Sequence, residues 1–398
     1  MTSDRPPIPA IVFGGEVTGL AVVRALGRAG VTVLVPQPAH PLVRGSRWHR
    51  PLHGAPPEGS AGAELAAWLG ALPYGRSVLF PCSDPWVTTM AALPAAVTAA
   101  HVPVAPRNAA LERLVDKARF GDAVAELGVP APRTVGARTA ADLAALSDEE
   151  LSGSFLKPVD SYAFSARHGA KGLRPADRTE AAALLAALDA EGLEMVVQEF
   201  VPGPPDAHVF VDGYVDRAGT LRACLARRRL RMFPPGLGNS TLSETIVLED
   251  AADAVATVER LFAGIGFTGL FDAEFKRDER DGVAKIIEVN ARPWWQLGLA
   301  AAAGLDLTLL AYRDAAGGEP PPSERYRVGV RWVHPVPDAR AWWRSRGTGG
   351  NPRLPVRAWL GQGNAVWNRD DPRPLLAELV IMLKRAWRHY REAAGLRK

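Results

Sequence analysis

Between Phe271 and Arg292, Asp272 and Glu274 stand two residues apart, and Glu288, Asn290 and Arg292 repeat the spacing in Ile286-Ile-Glu-Val-Asn-Ala-Arg292. In an extended strand that spacing puts side chains on one face. The flanking Phe271, Phe275, Ile287 and Val289 are apolar, which assigns the opposite face to a core. Two carboxylates and an amide oxygen are hard donors suited to Mg²⁺, with Mn²⁺ as a substitute, so Glu274, Glu288 and Asn290 are the candidate metal ligands. Arg292 beside them can hold an anion such as a phosphoryl group or a carboxylate. Register tests the idea. A plain two-residue turn at Asp281-Gly282 would face Glu274 with Val289, on the side away from Glu288. Convergence requires paired numbers with an even sum, for example Glu274 opposite Glu288, and hence a loop of odd length or a bulge. The bland alternative is an exposed acidic edge.

These strands close a longer series of elements. Residues 9–13 form a short apolar run ending in Gly14-Gly15, residues 20–29 have helical spacing and stop at Gly30, and residues 31–35 and 77–80 are further strands. Such alternation predicts a parallel sheet wrapped by helices. Residues 108–127 then read as a helix with an Asn108 cap and a Gly128-Val-Pro130 stop. Strands are expected at 154–158 and 195–201, a helix at 179–191, a hairpin of 208–214 with 221–229 around Asp216-Arg-Ala-Gly219, and a helix at 252–265. The tail after Gly317 reads as a separate piece.

The turn at Gly14 invites comparison with a dinucleotide-binding loop. That motif needs glycine at positions 16 and 19, and Glu16 stands where backbone would have to approach a pyrophosphate. No acidic residue ends the second strand, which runs into Pro36-Gln37. A tight turn in a doubly wound domain is the better reading, and a nucleotide-dependent oxidoreductase is opposed.

Composition excludes other classes. The chain of 398 residues is 47% apolar and 23% charged, with a formal charge of +4, as expected of a globular protein with a sizeable core. It has seven lysines and 40 arginines, scattered among abundant Ala, Gly and Pro, which reads as coding bias rather than a nucleic-acid footprint. A surviving lysine such as Lys117, Lys157 or Lys171 therefore asks for a reason. Cys82 and Cys224 make neither a disulfide framework nor a metal cluster. No apolar run reaches the ~18 residues of a membrane span, and the first residues lack a signal-peptide core, so a cytoplasmic protein is expected.

The string Glu288-Val-Asn290-Ala-Arg292 after Asp272-Ala-Glu274-Phe resembles the metal-binding signature of the ATP-grasp superfamily. Other pieces follow in the family's order: Asp116-Lys-Ala-Arg-Phe120 with Gly128-Val-Pro-Ala-Pro132, then Phe155-Leu-Lys-Pro158, then Val197-Gln-Glu-Phe-Val-Pro-Gly203. The resemblance spans about residues 8–312. It implies an α/β and α+β architecture: a Rossmann-like pre-ATP-grasp domain at 1–107, an ATP-grasp domain at 108–316 with a small lobe near 154–204 and a large lobe near 205–316, and a C-terminal extension at 317–398. It implies ATP as nucleotide and Mg²⁺ as metal. Lys117 and Lys157 would face the α- and β-phosphates. Gln198, Glu199, Phe200 and Val201 would read adenine, with Glu199 accepting from the amino group. Asp206 would bind ribose, with His208 as a neighbour. The loop from Asp160 to Gly172 departs from the family's glycine-rich lid, though Ser161 could donate to phosphate and Lys171 could reach it.

This variant looks more like the carboxylate–amine ligase branch, including D-aspartate ligase-like proteins, than like biotin carboxylase. The stretch from Arg229 to Thr241 resembles that branch, with Arg229 at the substrate end, so Arg229, Lys171 and Arg292 are the expected catalytic cations. The resemblance implies an ADP-forming ligase that makes an amide or peptide bond through an acyl phosphate. Its substrates would be a small, amino-acid-like carboxylate and an amine, and a homodimer is a further expectation. The alternatives are a catalytically silent ATP-binding or regulatory protein of the same fold, a biotin-carboxylase-like enzyme, and the oxidoreductase already opposed. In the tail, Leu375, Leu379, Leu383, Ala386, Trp387 and Tyr390 share one face of a basic helix. Such a helix docks on its own domain, on a partner or on a membrane.

Overall fold

The computed structural model describes residues 8–137, 139, 141–159, 164, 167–168, 172–234, 238–318, 325–344, 359 and 363–393. The chain divides into two compact units, one of residues 1–105, 292–326 and 361–398, the other of residues 106–291 and 327–360.

In the first unit, β1 (Ala10–Phe13), β2 (Val33–Pro36), β3 (Arg50–Leu52), β4 (Ser77–Pro81) and β5 (His101–Pro103) form a parallel sheet in the order β3-β2-β1-β4-β5. Every residue of β1 is buried, as the continuous apolar run requires of a central parallel strand. The turn after it is tight: Gly14 has φ +92°, and Glu16, the first residue of the helix Glu16–Arg28, has φ +56°. A Cβ on Gly19 would come within 2.9 Å of the Gly14 carbonyl oxygen, so this glycine serves helix-to-turn packing.

The second unit begins with a departure from expectation. Residues 108–127 form two helices, Asn108–Val115 and Lys117–Glu126. Asp116 is extended, and its carboxylate accepts from the amides of Ala118 and Arg119. A side chain that caps a new helix start competes with continuation of the old one, which breaks the helix there.

Two sheets follow. The smaller, antiparallel, has the order β6 (Thr134–Ala137), β8 (Met195–Glu199), β7 (Ser154–Pro158) and packs its apolar face on Leu143, Leu151, Leu185 and Leu188. The larger is built by β9 (His208–Val215), β10 (Leu221–Phe233), β11 (Asn239–Ile246), β12 (Gly269–Arg277), β13 (Ala284–Asn290) and β14 (Arg331–Val333). Its antiparallel order is β13-β12-β9-β10-β11-β14. The helix Ala252–Ile265 covers one face through Phe262, whose ring meets that of Phe271 at 4.7 Å. The other face carries the polar residues.

Of the segment 317–398, residues 327–360 lie in the second unit and 361–398 in the first. The helix Pro335–Arg344 brings Asp338 to Arg231 of β10 (3.1 Å) and Thr241 of β11 (2.8 Å), and all three are buried. A buried guanidinium requires such an acceptor, which ties this segment to the large sheet.

Candidate functional site

The expected register holds where it matters. Asp272 faces Asn290 and Glu274 faces Glu288, with a bulge immediately afterward between Glu274 and Phe275. The bulge lets acids converge that a regular hairpin would separate. Asn290 donates through Nδ2 to Asp272 Oδ2 at 3.1 Å, which fixes the orientation of its amide. Asp272 is itself buried and held by Arg227, which bonds Asp212 through Nε (2.7 Å) and Asp272 through Nη2 (2.8 Å). Burial, reinforced by Asp212 and opposed by Arg227, raises the Asp272 carboxyl well above the usual range. Asp272 thus accepts from Arg227 through Oδ1 and from Asn290 through Oδ2, which orients the Asn290 amide.

Arg229 follows Arg227 on β10 and reaches Glu274 Oε1 at 3.0 Å while its Nε bonds Ser240 Oγ at 2.8 Å. His208, at the start of β9, brings Nδ1 within 2.7 Å of the same Glu274 oxygen. Burial first, and then the Arg229 charge, push the His208 imidazole below its ordinary value against the pull of Glu274. Glu274 thus has cationic and imidazole partners on Oε1. Half-buried Glu288 has no hydrogen-bond or ion-pair partner among the described residues.

The small sheet supplies a second group. Lys157 on β7 donates to Gln198 Oε1 at 2.6 Å, and Gln198 donates onward to Thr134 Oγ1 at 3.1 Å. Lys117 reaches the Val159 carbonyl at 3.4 Å. Glu199 ends β8, where it accepts from the Arg133 amide (3.1 Å) and from Arg280. Burial would raise its carboxyl, but those bonds and nearby Lys285 outweigh it and hold Glu199 below the usual carboxylate range. Phe200 lies edge to face with Phe155 at 5.3 Å, Val201 is buried, and Asp206 is exposed on a short 3-10 turn, Pro205–Ala207. Ser161 and Lys171 lie outside the described residues. Arg292 forms a two-pronged ion pair with Asp84 in the first unit, Nε at 2.6 Å and Nη2 at 2.9 Å.

Lys276 was not among the expected residues. It lies two positions past Glu274 on β12, opposite His208 of β9. It is only 8% exposed and has no hydrogen-bond or ion-pair partner among the described residues. Its ammonium sits 4.8 Å from the centre of the Phe200 ring. Burial, and then the Arg229 charge, lower its pKa. The rarity of lysine that singled out Lys117 and Lys157 applies equally to Lys276.

Among the described residues, no group of three or more His, Cys, Asp and Glu side chains is arranged to hold a metal ion. The set here is of another kind: two opposed carboxylates, one of them without a partner, beside an amide whose nitrogen is turned onto Asp272. That donor chemistry fits a hard divalent cation.

Residues 192–336 match the family described as ATP-grasp in the biosynthetic pathway with Ter operon. D-aspartate ligase of Enterococcus faecium (strain Aus0004) is 28% identical over 222 residues, which is 52% of this chain and 51% of that protein; the chain thus spans about half the length of this relative. The crystal structure of L-amino acid ligase from Bacillus licheniformis superposes with a TM-score of 0.58 at 15% identity, covering 80% of this chain and 78% of that one. The biotin carboxylase domain of 2-oxoglutarate carboxylase from Hydrogenobacter thermophilus, in complex with MgADP, ADP and bicarbonate, gives 0.61 at 16% identity over 82% and 74%. The matched segment and these neighbours agree on an ATP-grasp fold, with residues 192–336 as the part that matches the family.

Proposed function

We propose that the protein is an ATP-dependent, ADP-forming carboxylate–amine ligase. The observation that carries this reading is the register of β12 and β13, which opposes Glu274 to Glu288 and sets Asn290 beside them. D-aspartate ligase and L-amino acid ligase among the relatives support the reaction class.

In the proposed reaction a substrate carboxylate oxygen attacks the γ-phosphorus of ATP, and the bond to the β-bridging oxygen breaks to release ADP. The amine nitrogen then attacks the acyl carbon of the resulting acyl phosphate, loses a proton and expels inorganic phosphate. The obstacle in the first step is repulsion between anions, on the order of 4 kcal/mol for unit charges ~4 Å apart at an effective dielectric near 20. Glu274, Glu288 and Asn290 would hold Mg²⁺, which would supply charge neutralisation at the phosphates. Arg229 is aimed along the same face and would steady the carboxylate. Lys157 and Lys117 would face the phosphates. Lys276, over Phe200, would offer its unpartnered ammonium to an anionic group of the nucleotide. Positioning and electrostatics account for catalysis in such a site, so no side-chain nucleophile is required. Cys82, buried with its thiol pushed up to about 12, is not a candidate for one.

The test is purified protein with ATP, Mg²⁺ and pairs drawn from an amino-acid panel, scored for ADP and for amide product by mass spectrometry. With a carboxylate labelled with heavy oxygen, the label is expected in the released phosphate. Tight ATP binding without ADP formation for any pair would instead assign a silent nucleotide-binding protein.

A further inference from the structure

The helix Arg373–Ala393 docks on its own unit by one side only: Pro374 is buried against Gly45, and Ile381 and Met382 are half-buried. The opposite side is apolar and uncovered. Leu376, Leu379, Val380, Leu383, Trp387 and Tyr390 are between 45% and 70% exposed. They account for six of the twelve large apolar side chains exposed among the described residues, so the apolar surface is concentrated here rather than scattered. At 3.6 residues per turn these six positions fall within a stripe about 100° wide.

Charge identifies the partner. From Leu383 to Arg391 the helix carries Lys384, Arg385, Arg388 and Arg391 and no acidic residue. Lys384, Arg388 and Arg391 run along one border of the stripe. The rings of Trp387 and Tyr390 stack at 5.8 Å within it. Two copies joined by this seam would crowd like charges along a shared border, whereas a surface of anionic headgroups over hydrocarbon complements both features. The helix does not meet the length and apolarity needed to cross a bilayer, so it would lie in the interface.

We propose that the Leu376–Leu379–Leu383–Trp387 stripe of this helix seats the protein on an anionic lipid bilayer, with Lys384, Arg388 and Arg391 facing the headgroups. The site face of the large sheet is not involved, so the proposal stands independently of the ligase reading.

The experiment is flotation of the full chain with phosphatidylcholine vesicles, with and without about 30% phosphatidylglycerol. The protein is expected to float with the anionic vesicles and not with the neutral ones. Leu383→Asp with Trp387→Asp should abolish flotation, and Lys384→Gln with Arg388→Gln should weaken it about 30-fold. The altered side chains are exposed, so thermal midpoint and ATP binding should stay unchanged, which separates lost attachment from lost folding. Absence of flotation, equal flotation with neutral vesicles, or full flotation of the Asp variant would each overturn the proposal. So would a wild-type dimer that the Asp variant makes monomeric without vesicle binding, since the stripe would then belong to a second copy.

Discussion

Replacing Glu288 by Gln separates stability from ligand binding, with opposite signs. Glu274 and Glu288 are directly opposed across β12 and β13, where Cβ atoms lie ~5 Å apart. Two unit charges at about 6 Å repel by about 3 kcal/mol at an effective dielectric near 20. Arg229 already neutralises much of Glu274, His208 adds a hydrogen bond, and Glu288 is half-exposed to water. Those effects leave roughly 1 kcal/mol of unrelieved repulsion in the protein without ligand. Glu288→Gln should therefore raise the thermal midpoint by about 2–4 °C in chelator, measured by scanning calorimetry. With Mg²⁺ and ATP the order should reverse. A ligand at 100 times its Kd stabilises the wild type by about 2.7 kcal/mol, and the variant, lacking a metal donor, should gain little. Turnover should disappear with it. A variant less stable than wild type in chelator, or one that gains as much from Mg²⁺ and ATP, would refute the reasoning.

Lys276→Met should stabilise the protein without ligand by about 1–3 kcal/mol at neutral pH, because it removes a buried donor with no acceptor, and should weaken ATP binding about 10-fold or more. The folded-state pKa of Lys276 lies below its ordinary 10.5, so this unfavourable contribution should fade as pH rises toward 10.5, seen as rising calorimetric midpoints. His208 is likewise held below its ordinary 6.5. Its imidazole resists protonation in the folded state, so stability should fall as pH drops below about 6.5, and a flatter profile is expected for His208→Asn in urea titrations at stepped pH. Glu16→Gly relieves a left-handed residue costing about 1–2 kcal/mol, less the backbone freedom that glycine adds. A net gain near 0.5–1 kcal/mol is expected from denaturant midpoints, and a loss would show that the Glu16 side chain holds the turn.

The hairpin at the site was legible because chemistry and register constrain each other. Acids two apart on neighbouring strands share a face only when paired numbers have an even sum, as with Glu274 opposite Glu288, and the pairing with its bulge satisfies that requirement. Features that depend on distant chain were not legible. Lys276 gains its meaning from Phe200, 76 positions away, and from burial that periodicity does not report. Its neighbours in sequence make Arg292 an anion clamp, yet its guanidinium is met by Asp84, a pairing across 208 positions. Glu199 reads as an open acceptor in its own strand, and only the hairpin bearing Arg280 and Lys285 reveals how strongly it is held. The break at Asp116 was within reach: a carboxylate before Lys117-Ala-Arg119 is a cap signal, masked by the continuous apolar spacing on either side.

The tie between Asp338 and the strands bearing Arg231 and Thr241 has a practical corollary for anyone cutting or grafting this polypeptide. A fragment stopped near residue 318 would retain the arginine and strip away its counter-charge, so the excised piece should be insoluble or misfolded even though the motif residues are all present. Chimeras that exchange the large sheet must carry 327–344 along with it, since that stretch is a structural organ of the sheet and not a detachable appendix.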